Sequence, residues 1–518
     1  MELPPTASLA PLMLLAALFA LTVWRGLRDG MHRRLAAGKV LQFQIEAFAV
    51  AISDLFYGGG RSATGLRVVL DFLQTHGLQR FMHNGSPMVE DTARIDAVLQ
   101  AATRLPWDQV LASPRFLINW DKGLVDFIHL AFQLFGVRLA APFALFHLLL
   151  GLSLSAFALA FLALPAALWA GCVLLAGYLL FTYESPFLSD REVISNVTDY
   201  RYIEMLAVLP ALHLFLGQTA LMPPTALQVA MVVGQAVLLW FVATVRASTK
   251  WAVLGLPAAA GCAVLGQLWS GGWPGALALL RGGVWILPLA LAILIGLDLW
   301  RRQRLHPAYF GEDGALSHAT WMAAYNGFAL DGETWQRAKL PGQYDRPDDC
   351  NAYMAVHDHF LRHPETRPPI PYPHIDWTFN GPYQDLKWPL FDRVIRTIAQ
   401  TYLREHRASM PRLYAVIKPR RFYAECWKII GPLLHRLRRP TTPGLAVPLV
   451  VGIGASLGLV LAGGGGLSVA VAALLLLGTS PAPLIWAYPM PETVGVQSWI
   501  LLFAPLLLAA GLLGAVVS

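Results

Sequence analysis

Residues 138–183 read RLAAPFALFHLLLGLSLSAFALAFLALPAALWAGCVLLAGYLLFTY, a stretch whose single charged residue is Arg138. A helical run of about 20 apolar residues crosses the roughly 30 Å hydrocarbon core of a bilayer. This stretch is long enough to cross twice, turning near 163–165. Comparable apolar runs cover 7–24, 203–222, 225–245, 251–299, 443–486 and 497–517, and nearly every charge falls in 25–137, 184–204, 246–250 or 300–442. Only structures that pair all their backbone groups survive in hydrocarbon, and the chain lacks the ten-residue alternating pattern of an outer-membrane barrel. The expected fold is an all-α polytopic membrane protein, a helical transmembrane bundle of about 10–11 spans with a small mixed extramembrane domain. The long polar segments all emerge on one face if the spans alternate, while the other connections are short and almost uncharged.

Composition agrees. The chain is 56% hydrophobic and 14% charged, against about 25% charged in a typical soluble domain. The net charge of +7 resides in one segment, because residues 300–442 hold 21 Lys/Arg against 14 Asp/Glu. Basic residues cluster where that segment meets the membrane, at Arg301, Arg302 and Arg304, and again at Arg420, Arg421, Lys428, Arg436, Arg438 and Arg439. Two readings fit, anchoring to anionic headgroups or cradling a phosphorylated lipid. No aromatic-basic interleaving or nucleic-acid-binding module accompanies the charge, so nucleic acid is not expected as a partner. The first apolar run has no basic n-region and no small-residue cleavage site, and reads as a retained span.

Five regions follow. Residues 1–57 hold an N-terminal span, a basic linker at 25–40, and LQFQIEAFAVAISDLFY at 41–57, which reads either as a short span or as a helix in the interface. Residues 58–137 form a first long loop with amphipathic helical patterns at 64–80 and 90–104. Residues 138–299 form a transmembrane bundle interrupted by the charged loop 184–204. Residues 300–442 form an extramembrane domain with helical patterns at 391–408 and 410–417, and 443–518 return to the membrane.

Several groups carry candidate chemistry. Asp54, where an apolar helix meets the first long loop, is placed to act as a general base towards a hydroxyl. The loop 184–204, ESPFLSDREVISNVTDYRYIE, concentrates ionisable groups at the rim of the bundle, where they are costly unless used or paired. Gly58-Gly59-Gly60-Arg61 lacks the spacing of a phosphate loop. His359 and His363 share a helix face and suit a metal clip, with Asp348, Asp349 and Cys350 upstream. Cys350 and Cys426 form a candidate disulfide if their domain faces an oxidising compartment. Asp298, His147 and His213 inside the spans do not outline a translocation path.

The layout resembles membrane glycosyltransferases of the GT-C fold class. An early span leading to a long loop with an acidic residue corresponds to 41–57, 58–137 and Asp54. The re-entry LVDFIHLAFQLFGVRLAAPFALFHLLLGL resembles the class's return to the membrane, and the acidic and basic second loop corresponds to 184–204. Residues 400–419, QTYLREHRASMPRLYAVIKP, resemble an element before the late spans, with Arg407 where that element has proline. SHATWMAAYNGF at 317–328 resembles a stretch in uncharacterised bacterial relatives. The resemblance implies a bacterial inner-membrane enzyme moving a sugar from a polyprenyl-phosphate donor to an outer-face acceptor, with its long loops periplasmic if 41–57 crosses; if it does not, the positive-inside rule places them in the cytoplasm. It implies Asp54 as catalytic base, Arg61, Arg191 and Arg201 on phosphate oxygens, and Asp190, Glu192 and Asp199 on a divalent metal or phosphate. Membrane lipids and a lipid-linked sugar are then its partners. The alternative is a non-catalytic membrane subunit or assembly factor that docks a protein partner through 300–442, where Trp335, Trp377 and Trp388 suit a packed interface.

Overall fold

The computed structural model describes residues 8–25, 45–58, 64–76, 92–118, 122–184, 203–221, 224–245, 249–310, 320–341, 349–366, 388–437, 450–458 and 495–517. Among these, helices dominate and the one sheet is a two-stranded ribbon. Four stretches, Ala140–Ala160, Ala226–Val245, Ala252–Trp269 and Gly271–Arg302, are long and apolar enough to cross a membrane.

The chain opens with α1 (Leu9–Arg25) and continues, after the linker, with α2 (Ile45–Tyr57). Strand β1 (Thr64–Leu66) runs into α3 (Arg67–Thr75), followed by α4 (Thr92–Ala102), α5 (Trp107–Ala112) and strand β2 (Arg115–Leu117). The strands pair antiparallel with Gly65 opposite Phe116. Helices α6 (Gly123–Phe135), α7 (Ala140–Ala160) and α8 (Pro165–Glu184) come next, then α9 (Val208–Gly217), α10 (Ala226–Val245), α11 (Lys250–Arg281) and α12 (Ile286–Arg302). Pro165 begins α8 at a position where its missing N–H costs nothing. Gly272, at φ 60°, splits α11 into two helical pieces, a conformation glycine adopts without the Cβ penalty.

Apolar packing joins these helices, and a polar clamp pins three of them. The Ser153 hydroxyl on α7 donates to Gln235 Oε1 on α10 at 2.8 Å, and Gln235 Nε2 donates to the Ser153 carbonyl at 2.7 Å. The same Nε2 lies 3.3 Å from His213 Nδ1 on α9, which accepts. His213 is thus part of an interhelical hydrogen-bond clamp, the usual use of polar side chains between membrane helices.

Of the segment 41–57, residues 45–57 form helix α2, and residues 41–44 lie outside the described residues. Ala47 to Ser53 are all buried, enclosed by α6, α3 and β1. Its carboxylate Glu46 lies within electrostatic reach of Tyr309. The pattern at 64–80 departs from a single helix. Residues 64–66 are extended because they pair with β2, and the helix begins only at Arg67.

A second apolar core lies in the later part of the chain. Helices α13 (Thr320–Phe328), α14 (Gly332–Arg337), α15 (Asp349–Arg362) and α16 (Trp388–Glu405) bury Tyr325, Phe328, Trp335, Val356, Ile395 and Tyr402 together. One short helical turn and a π-helical turn, Leu413–Ile417, lead into α17 (Lys418–Leu437), which packs against α18 (Gly495–Val517) and joins the main core. Cys426, on α17, is a buried free thiol, so the expected bridge to Cys350 is absent. Its side chain faces the main core, while Ala352 and Ala355 of α15 belong to the second one.

Lys418 has no exposed surface. Its ammonium lies 4.5 Å from the centre of the Tyr414 ring, and burial pulls its pKa down to about 7. In the unfolded chain the same lysine titrates near 10.4. Between these values the unfolded state binds the extra proton, so this residue makes stability rise with pH, and its contribution is lost as pH falls through about 7. Lys418→Met should flatten that rise, read as thermal unfolding in detergent between neutral and alkaline pH against the parent chain.

Candidate functional site

A cavity of about 1010 Å³ opens where the last turns of α10 and α12 meet α6 and the end of α2. Each element contributes for a local reason. Helix α6 is apolar except for Asp126, His129 and Gln133, whose spacing of three and four residues puts them on one face. All three line the cavity. Helix α2 ends at Asp54, Leu55 and Gly58, and α10 supplies Trp240 and Phe241. Helix α12 finishes in Trp300 and Arg301, with Arg304 and Leu305 just beyond.

Gly123 sets the distance between α6 and α10. A Cβ there would lie 2.3 Å from the Thr244 backbone carbon, so only glycine lets the two backbones approach this closely. Tyr309 ties the segment after α12 to the first loop, its hydroxyl accepting from the Ile118 N–H at 3.0 Å. Lys122 stands 4.3 Å from the centre of the same ring.

Two ion pairs line the cavity. His129 Nε2 lies 3.1 Å from Asp54 Oδ2, with each side chain about one quarter exposed. Arg301 donates from Nη2 at 2.9 Å and from Nε at 3.1 Å to Asp126 Oδ2. The pairs form one electrostatic unit, since Asp126 responds to the charges of Arg301, His129 and Asp54. Arg304 stacks its guanidinium 4.1 Å from the centre of the Trp300 ring, and Trp300 meets Trp240 edge to face at 6.5 Å. Arg304 has no carboxylate partner among the described residues. The indole N–H of Trp240 is buried without a hydrogen-bond partner. The site therefore offers a partly exposed carboxylate poised beside an imidazole, an uncommitted guanidinium, and an aromatic wall.

Of the expected site residues, Asp54 lies in this cavity. Arg61, Asp190, Arg191, Glu192, Asp199 and Arg201 lie outside the described residues. His359 and His363 do face each other, with ring centres 4.8 Å apart. The described residues nevertheless hold no group of three or more His, Cys, Asp or Glu side chains arranged for a metal ion. Sequence reasoning missed Asp126 and His129, although their polar stripe on an apolar helix was visible. Arg301 and Arg304 were read either as headgroup anchors or as part of a cradle for a phosphorylated lipid, and both line this cavity.

The chain matches no protein-family model, no curated protein and no solved structure. The site's own geometry therefore carries the functional reading.

Gly123→Ala should drive α6 away from α10 and cost about 1–3 kcal/mol of stability. The same displacement should open the cavity. A lowered unfolding temperature, with faster hydrogen exchange across 123–135 and 240–245, is the expected result.

Proposed function

We propose that the chain is a polytopic inner-membrane glycosyltransferase of about 10–11 spans. In this reading it moves a sugar from a polyprenyl-phosphate donor to a hydroxyl acceptor on the outer face. The observation that carries the proposal is the cavity in which Asp54 and His129 pair at 3.1 Å beside the Arg304–Trp300 stack. Asp54 takes the acceptor's hydroxyl proton as the acceptor oxygen bonds to the anomeric carbon. The bond from that carbon to the phosphate oxygen breaks, and the phosphate leaves with the electron pair. A fixed cation beside the developing negative charge lowers the barrier, and Arg304 is the group available for that task. His129 holds the carboxylate in place and shares its charge. Arg61, Arg191 and Arg201 are proposed to hold further phosphate oxygens, and Asp190, Glu192 and Asp199 a divalent metal or the phosphate group.

The aromatic wall supports the same reading. Trp300 and Trp240 present flat apolar surfaces at the ends of helices long and apolar enough to cross a membrane, where an amphiphilic donor would present its headgroup.

Asp54→Asn should lower sugar transfer from a polyprenyl-phosphate donor by about 10²- to 10⁴-fold, the range for losing a general base. The variant should keep the parent's unfolding profile in detergent. Full transfer activity would remove Asp54 from the mechanism.

The outer-face reading also fixes an orientation. Reporter fusions after residues 110 and 350 should both report periplasm, and a fusion after residue 35 should report cytoplasm. A cytoplasmic signal at 350 would defeat the outer-face mechanism.

A further inference from the structure

Helix α17 divides lengthwise into three arcs. Phe422, Cys426, Ile429, Ile430 and Leu433 are buried against the main core, and the Cys426 thiol hydrogen-bonds with Ser498 of α18. Beside that arc runs an exposed apolar stripe. Tyr423 and Trp427, four residues apart, are 44% and 61% exposed, and the half-buried Leu434, which also touches the main core, falls on the same line a further seven residues on. The third arc is cationic, with Arg420 at its edge and Arg421, Lys428 and His435 at intervals of seven, all exposed.

Glu425 sits where the cationic arc meets the buried one. Its carboxylate is fully buried, and one oxygen accepts from both Arg421 Nε at 2.7 Å and Lys428 Nζ at 2.8 Å. The carboxylate holds two cations at the helix edge without cancelling them, because Arg420, Arg421 and Lys428 together exceed it by two charges. An apolar stripe flanked by a cationic arc on one side and an apolar protein contact on the other suits a helix lying along a bilayer surface. The stripe would meet acyl chains, the cations would meet headgroups, and tryptophan with tyrosine marks that level. A protein-binding face would instead keep charge away from its centre.

We propose that α17 is an interfacial helix whose Arg420–Arg421–Lys428 arc binds anionic phospholipid headgroups while Tyr423 and Trp427 enter the bilayer boundary. Continuity with α18, the apolar helix packed along its other side, places this surface beside the bundle. The proposal does not depend on the chemistry of the cavity.

The test uses the full chain in nanodiscs of phosphatidylcholine mixed with phosphatidylglycerol. Trp427→Cys is combined with Cys262→Ser and Cys350→Ser, and the new thiol carries a nitroxide. The label should collide with dissolved oxygen far more than with an aqueous nickel chelate. In a second measurement, Arg420→Gln with Lys428→Gln should reduce the phosphatidylglycerol retained through delipidation, by roughly fivefold for each charge removed. Arg421 remains in that variant to pair Glu425, so folding is preserved and an unfolding profile checks it. A label reached by the nickel chelate would overturn the proposal by placing the stripe in water. A label shielded from both quenchers would overturn it in favour of a protein cover, and unchanged lipid retention would remove the cationic arc.

Discussion

An ionised side chain left unpaired among apolar helices costs several kcal/mol, and this penalty governs where chemistry can sit in the molecule. Asp54, Asp126, His129 and Arg301 occupy helix ends or a single helix face, and each carboxylate is paired, Asp126 with Arg301 and Asp54 with the His129 ring. Glu425, fully buried, is tied twice. Between α7, α9 and α10, Ser153, His213 and Gln235 answer one another. Ionisable groups therefore collect where α10 and α12 finish, which is where the cavity lies. The pairing that makes the charges tolerable also brings residues from distant parts of the chain into one site.

The first loop is bound into this arrangement rather than appended to it. Helices α2, α3 and α4 share one apolar core with α7 to α12, so Asp54 is held by the packing of the whole head of the bundle. The middle of helix α2, Ala47 to Ser53, is buried because neighbouring protein encloses it. The α13–α16 unit has its own core. It connects through α17, whose buried face belongs to the main core.

Long apolar elements were legible because length and composition decide them. Runs of about 20 residues have few alternatives, and α7, α8 and α10 follow their runs closely. The enclosure of helix α2 and the β1–β2 ribbon were not legible. The first is decided by which elements pack around the helix, and the second by pairing with a partner some fifty positions away. Asp54 was legible as a carboxylate at a helix end, but nothing local announced His129 as its partner. The stripe of Asp126, His129 and Gln133 was present in the sequence, yet only the packing of α6 on α2 and α10 turns it inward.

Charge balance in the cavity bears on what it can accept. Among the described residues, Arg301 is committed to Asp126, and Asp54 to His129, which leaves Arg304 as the surplus cation at the wall. A neutral ligand would gain nothing from that guanidinium beyond a hydrogen bond. An anionic ligand would satisfy it without breaking either existing pair. On the proposed reading, Asp54 would lose its charge on taking a proton while negative charge grows on the leaving phosphate beside Arg304. Proton and negative charge would then move in opposite directions, and the net charge in the cavity would stay constant.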